Sequence, residues 1–303
     1  MDTFERNEKK YRIDQATMDG LREALSQHMA KDLYSAHGPS RVTSLYLDTP
    51  SSLLLRRSLE KPPFKEKTRI RVYGIVPPSG DPFEAVSDTP CYLEIKRKVK
   101  GRGYKRRVAL TLGEARAFIE QGVDIQRRNE SQIIRELAWQ REFYGGLEPS
   151  LIVSCLREAW SVKGKFSSIS ADSGKMARTD ATRAKNGCVF PERSLECSSG
   201  GLREGGDALR VTFDTDLRWA AGTWDFAPFT RNPSLACTLA EPGLCIMEVK
   251  AAGAMPLWLV ELLDRFEAYP SSFSKAGTAF MNARASRDGC RPAKRSTFRR
   301  LAG

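Results

Sequence analysis

Apolar and polar positions along this chain alternate with a period of two in some stretches and with a helical period in others, and that rhythm places the elements. Residues 4–14 read as a strand. Residues 15–30 carry Met18, Leu21, Leu25 and Met29 at helical spacing and predict an amphipathic helix. Residues 41–48 alternate as a strand with Val42, Ser44, Tyr46 and Asp48 on one face, and Thr49-Pro50-Ser51 then opens a short helix to about Arg57. Residues 65–73 read as a strand, followed by a turn or loop rich in Pro and Gly over 74–89. Residues 91–99 and 103–110 predict a hairpin around Lys100-Gly101-Arg102-Gly103. Thr111 caps a helix to about Gln121, and a second helix spans about 131–144. Strands are expected over 151–160, 209–214, 217–221 and 244–250, and helices over 256–268 and 274–285. About eight or nine strands and five or six helices make this an α+β chain.

Two segments break the rhythm. Residues 161–207 hold 8 Ser and 7 Gly in 47 positions and lack a sustained apolar period, which predicts a long loop, a flexible insert or a flap. From Arg287 the chain reads RDGCRPAKRSTFRRLAG, either a solvated basic tail or an arm that tethers an anion. The expected organisation is one domain over 1–286, interrupted by the insert, with a tail over 287–303.

Composition narrows the chemistry. Hydrophobic residues are 41% of the chain and mean hydropathy is −0.44, so a core is possible but not a wholly apolar one. A net charge of +12 asks for an anionic partner: nucleic acid, a lipid surface or a phosphorylated small molecule. No run approaches the roughly 18–20 apolar residues of a membrane span. The N-terminus is charged from residue 2 and has no apolar leader core. These features predict a cytoplasmic protein with no transmembrane segment, and leave a peripheral membrane partner open. Seven cysteines with no C-x-x-C pair read as reduced structural thiols. The two histidines, His28 and His37, argue against a Cys/His zinc site and against histidine acid–base chemistry. Any metal is expected to be a hard cation on carboxylates.

The polar faces of the strands carry the candidate chemistry. Arg6, Glu8, Lys10 and Arg12 share one side of the first strand; Lys67, Arg69 and Arg71 share a side of the third; Glu94, Lys96 and Lys98 align on the fourth. The fifth places Arg102, Tyr104 and Arg106 on one side and Lys105 and Arg107 on the other. Later strands add Arg157, then Arg210, Thr212 and Asp214, then Glu248 and Lys250. The opposite faces are apolar, as in Ile70 and Val72, Leu93 and Ile95, Val211 and Phe213, Met247 and Val249. Solvated outer faces would favour Lys and Glu together, whereas these are rich in Arg with sparse single Glu residues. Curling the sheet would turn the charges inward, where burial is costly unless an anion compensates them. A triphosphate does so, because each guanidinium can take two phosphate oxygens. Ordinary surfaces and a cationic tunnel both remain open on pattern alone. No G-x-x-x-x-G-K-[ST] loop and no strand-linked G-x-G-x-x-G occurs. Aromatics fall mainly at apolar strand positions, not interleaved with basic residues, so nucleic acid is not the expected anion.

At this point the chain resembles the VTC-type (vacuolar transporter chaperone) polyphosphate polymerase domains, which belong with the triphosphate tunnel metalloenzymes and their CYTH-like relatives. The resemblance rests on Arg6-Asn7-Glu8-Lys9-Lys10-Tyr11, SLYLDT at 44–49, Arg69-Ile70-Arg71-Val72-Tyr73-Gly74, Leu93-Glu94-Ile95-Lys96 with Lys98, Cys155-Leu156-Arg157-Glu158-Ala159-Trp160, Leu209-Arg210-Val211-Thr212-Phe213-Asp214, Met247-Glu248-Val249-Lys250 and Phe273-Ser274-Lys275, all in the family's order. It implies a closed antiparallel β-barrel of about eight strands, a tunnel with helices packed around it. It implies that Lys10, Arg69, Arg71, Lys96, Arg157 and Lys275 contact phosphates, that Glu248 holds a catalytic Mn or Mg ion, and that Ser274 adds a hydrogen bond. Glu8, Glu94, Lys98, Arg210 and Lys250 are further members of the implied lining, and either glutamate could instead orient neighbouring basic side chains. The implied substrates are ATP and polyphosphate or pyrophosphate, and the implied reaction is phosphoryl transfer to a growing chain. One departure bears on this: CYTH hydrolases open with E-x-E-x-K, and here Arg6 replaces the first Glu, as in the polymerase branch. A tunnel tri- or polyphosphatase and a non-catalytic polyanion-binding module are the alternatives.

Overall fold

The strand rhythm yields one curled antiparallel sheet, seen in a computed structural model that describes residues 7–32, 35–60, 62–74, 87–100, 102–123, 125, 131–162, 209–230 and 233–287. Eight strands form a continuous path: β1 (Asn7–Ile13), β10 (Cys245–Ala251), β8 (Leu209–Ala221), β7 (Glu148–Val162), β3 (Ser40–Asp48), β4 (Phe64–Tyr73), β5 (Pro90–Val99) and β6 (Arg102–Thr111). Two short strands lie off it, β2 (Met29–Lys31) against β7 and β9 (Cys237–Thr238) against β8. Both are too short to show a period and were not foreseen. Nor were the short helix α5 (Ala227–Thr230) and the 3-10 turn Pro233–Leu235.

The convex face is covered by two helical layers. Helices α1 (Gln15–His28) and α6 (Leu257–Arg265) pack on β1, β10 and β8, where Leu21, Leu25 and Leu259 meet Tyr11, Val211, Phe213 and Val249. Asp14 caps α1 by accepting a hydrogen bond from the Thr17 amide at 2.8 Å. Helices α3 (Leu112–Gln121) and α4 (Ser131–Phe143) cover the other half, where Phe118, Ile119 and Leu137 meet Ile70, Leu93, Ile95 and Val108. Thr111 caps α3 as expected, Glu114 completes a capping box with it, and Gly122 ends α3 in the left-handed region at φ 72°. Each fully buried Leu, Ile or Phe contributes roughly 1.5–3 kcal/mol, so these two layers hold the sheet in its curl.

A third apolar cluster lies on the concave side. Val42, Tyr46, Val153, Cys155 and Ile246 from the strands pack with Leu55 of α2 (Leu53–Leu59) and with Ala276, Ala279 and Phe280 of α7 (Lys275–Arg287). Buried Asp48 accepts from the Thr49, Leu54 and Leu55 amides at 2.8, 2.8 and 2.9 Å and so fixes the start of α2. Part of the concavity is thus filled by a helix, and the rest is left to charged groups.

Two expectations need correction. The barrel is not closed: among the described residues β1 and β6 end the path and do not pair. The free edge of β1 is taken by the segment before α7, because Tyr11 bridges Pro270 and the Ser271 amide donates to the Lys10 carbonyl at 2.7 Å. Residues 209–214 and 217–221 are one strand, not two; its register against β7 shifts between Ser154 and Leu156, and Asp216 turns through φ 44° with its carboxylate held by Arg41 and Arg218. Arg6, most of the insert and the tail beyond Arg287 lie outside the described residues. No helix among the described residues is long and apolar enough to cross a membrane.

Candidate functional site

Alternation along each strand decides which charges share the concave side. Register pairs Arg69 with Glu94 and Tyr46, Arg71 with Ser44 and Tyr92, Lys67 with Lys96, and Lys96 with Lys105. On the other side of the opening, Lys10 pairs with Glu248 and Glu8 with Lys250, and Glu248 pairs with Thr212. These two banks converge, since Lys96 of β5 feels Glu8, Lys10, Arg69 and Glu248.

Three carboxylates anchor the cations. Glu94 has no exposed surface; Arg69 donates to it through Nε and Nη2 at 2.7 Å, Lys105 Nζ lies 2.6 Å from it and Arg71 4.0 Å away. Burial alone would raise the Glu94 carboxyl, but Arg69, Arg71 and Lys105 together bring it to about 2. Asp214, also without exposed surface, takes a bidentate pair from Arg157 at 2.6 Å for both bonds and a further bond from Lys275. Burial opposes its ionisation too, and Arg157 and Lys275 overcome this to bring it to about 2. Glu248, nearly buried, is held far below the ordinary carboxylate range: burial is outweighed by Lys250 (3.0 Å), Lys10 and Arg157, with Glu8 in hydrogen-bonding reach. Glu8 itself lies 3.5 Å from Lys10.

Lys67 and Lys96 are not in direct contact with any carboxylate among the described residues. Lys67 is pushed below its ordinary value by burial first and then by Lys65, Lys96 and Lys10. Lys96 is pushed the same way, first by desolvation; Glu8 and Glu248 oppose the shift and Arg69 and Lys10 add to it, and its side chain reaches solvent inside the concavity. Positive charge is therefore crowded in a hollow with too few acids to neutralise it.

Most of the expected lining is brought together here: Lys10, Arg69, Arg71, Lys96, Arg157, Glu8, Glu94, Glu248, Lys250, Ser274 and Lys275. Ser274 accepts from the Gly277 amide at 3.2 Å, at the start of α7, and from Lys67 at 3.4 Å. Lys10 donates to the Phe273 carbonyl at 3.2 Å, so the α7 entry is tied to both banks. Arg210 departs from the expectation. It is half-exposed and paired with Asp32 at 2.7 Å, near the edge where β2 joins β7. Lys98 is exposed, in register with Lys65 toward the end of the hairpin. Of the two faces of β6, Lys105 and Arg107 turn inward, while Arg106 pairs outside with Glu136 at 2.6 Å.

Lys67, Lys105 and Asp214 belong to the site but were not among the expected lining residues. Parity was their signal, because each shares a face with an expected residue or with its cross-strand partner.

The depressed carboxyls make stability acid-sensitive. Asp214 and Glu94 titrate lower in the folded than in the unfolded chain, so their contribution is complete above the unfolded values and lost as pH falls toward the folded ones. Thermal melts between pH 7 and about 2 should show the melting temperature falling below about pH 4.5 and continuing to fall to about pH 2. A melting temperature flat across that window would remove these ion pairs from the account of stability.

Comparison with known proteins then supplies the family. A family model described as VTC domain matches residues 5–197 and 202–283. No curated protein matches the chain. Among solved structures, the chain is similar to a protein from Vibrio parahaemolyticus described as a "putative adenylate cyclase", at 10% identity over 90% of this chain and 96% of that one, with a TM-score of 0.37. A protein of the same description from Bacillus halodurans is similar at 11% identity over 88% of this chain and 92% of that one, with a TM-score of 0.41. The family match runs from the first strand of the concavity to the helix that partly fills it, and the chain belongs to the VTC domain family.

Proposed function

We propose that the chain is a metal-dependent polyphosphate polymerase that transfers the γ-phosphate of ATP to a growing polyphosphate chain in the cationic concavity. The observation that carries this reading is the crowding of Lys67, Lys96, Arg69 and Arg71 on one concave face, with the two lysines destabilised as cations first by burial and then by the neighbouring cations. A chain of phosphates relieves that repulsion along its whole length, whereas a single small anion relieves part of it.

A divalent cation fits the residues present. Glu248 is ionised and nearly buried, and Glu8 is within reach of it, giving hard oxygen donors of the kind Mg and Mn prefer. Among the described residues no group of three acidic, His or Cys side chains could hold a metal, so the protein would supply one or two carboxylates and phosphate oxygens the rest. When bound, the ion would neutralise charge on the transferring phosphoryl group.

The protein's own groups do the remaining work by position and charge. Arg69 and Arg71 are pre-aimed, by Glu94 and by Glu94 with Ser44 respectively, and need little reorganisation to grip phosphate oxygens. Lys67, Lys96 and Lys10 hold successive charges across the opening between the two banks. Arg157 and Lys275, fixed by Asp214, hold the chain near the start of α7. The attacking terminal phosphate is already anionic, so no side chain need remove a proton from it. Arg6 in place of a glutamate favours polymerase over hydrolase.

The test is incubation of the purified chain with ATP, Mn or Mg and a pyrophosphate primer, with polyphosphate, ADP and free phosphate all measured. Polymer with matching ADP is expected. Free phosphate without polymer would make it a hydrolase, and tight polyphosphate binding without turnover would leave a binding module.

A further inference from the structure

Tyr46 lies on the seam between the apolar and the charged parts of the concavity. Its ring belongs to the cluster formed with Leu55 of α2 and with Ala276, Ala279 and Phe280 of α7. Its hydroxyl accepts a 3.4 Å hydrogen bond from Arg69 Nη1, and the Arg69 guanidinium carbon stands 6.0 Å from the ring centroid. The residue is 8% exposed. Lys67 and Arg71, on the same face of β4 as Arg69, add their charge around the phenol, and Glu94 is engaged on the other side of Arg69.

A phenol oxygen can accept, and it also has one proton to give. The charged groups nearest it are arginines and a lysine, which donate and do not accept. Among the described residues the one hydrogen-bond partner of this hydroxyl is Arg69, a donor. The O–H is thus left as a donor surrounded by cations, the setting in which an anionic oxygen is the natural acceptor.

We propose that Tyr46 is a substrate-contacting residue whose hydroxyl donates to a phosphate oxygen of the chain gripped by Arg69 and Arg71. The proposal rests on the polyphosphate reading above and adds a neutral donor to its set of cations. A neutral donor contributes direction without adding to the repulsion that crowds this face. On β3 Tyr46 shares its face with polar Ser44 and Asp48 as well as with Val42; its ring is core and the oxygen alone belongs to the site.

Ionisation of the phenol gives a reporter. Burial alone would raise it, but Arg69, Lys67 and Arg71 outweigh burial and bring it to about 8. A bound anion cancels part of that field and holds the proton on, moving the phenol upward.

The experiment uses the full chain and inorganic tripolyphosphate without metal. Tyr46→Phe keeps the ring and removes the oxygen, so the packing under α7 and the melting temperature should be preserved. Calorimetric titration at neutral pH should show tripolyphosphate bound about 10-fold more weakly by Tyr46→Phe, the size of one hydrogen bond to a charged group. In wild type, tyrosinate absorbance should rise by one tyrosine near pH 8 and shift upward when tripolyphosphate saturates the protein; Tyr46→Phe should lack this step. Equal affinities, or a wild-type step that tripolyphosphate leaves in place, would overturn the assignment. A wild-type protein that does not bind tripolyphosphate at all would instead overturn the polyphosphate reading beneath it. The absorbance measurement on wild type needs no variant, so the assignment stays testable even if Tyr46→Phe folds poorly.

Discussion

Asp214→Asn will cost the free protein about 3–5 kcal/mol of stability and lower its melting temperature by on the order of 10 °C, and tripolyphosphate will restore more of that loss than it adds to wild type. Asp214 has no exposed surface and compensates both Arg157 and Lys275. The asparagine keeps the shape and removes the charge, leaving two largely buried cations with no counter-ion. Rearranging them toward solvent is hindered, because Arg157 is fixed in β7 and Lys275 opens α7. A polyanion that reaches these cations would replace the missing charge, and binding to the folded state alone raises stability by mass action. The rescue separates two roles. A variant destabilised as expected but no better rescued than wild type would make Arg157 and Lys275 a structural pair that never meets substrate.

The same ion pair shows what could and could not be read along the chain. Arg157 and Asp214 are charges within alternating stretches, and alternation places each on its strand face. Their meeting depends on the register of β7 with β8, which shifts by a bulge near Cys155. No local pattern encodes that shift. For the same reason residues 209–221 look like two strands: Asp216 interrupts the alternation, and the sheet absorbs the interruption by turning it through the left-handed region. Alternation was enough for Arg69, Arg71, Lys96, Lys10 and Glu248, because each strand there keeps one apolar face for a helix layer and leaves the other for charge. It was ambiguous for β6, where both faces carry basic residues; the choice is made by Glu136 of α4, which draws Arg106 to the convex side. Arg210 shares parity with Thr212 and Asp214, yet Asp32 captures it near the end of the sheet, a contact 178 residues apart in sequence. Closure of the barrel was inferred from family likeness, and the free edge of β1 is instead occupied by the segment that leads into α7. What remained illegible is therefore long-range competition for a strand edge or for a charged side chain.

Glu248→Gln is expected to reduce metal-dependent polyphosphate synthesis by roughly 10²–10³-fold, the scale on which single electrostatic contributors to a transition state act. Binding of tripolyphosphate without metal should hold or strengthen in the same variant. Glu248 is ionised in the folded chain because Lys250, Lys10 and Arg157 outweigh its burial. Neutralising it frees Lys250 and Lys10 to face the polyanion and makes the hollow more positive, so the free protein becomes less stable while its attraction for phosphate grows. The opposed signs are what make the variant informative. A residue that merely props up the fold would lower stability, anion binding and turnover together. A carboxylate that holds the cation would lower turnover and weaken Mn binding in the presence of tripolyphosphate, measured by manganese electron paramagnetic resonance, with bare anion binding intact. If the variant made polymer at near the wild-type rate, Glu248 would not be the metal-holding group, and Glu8, beside it on β1, would be the carboxylate to replace next.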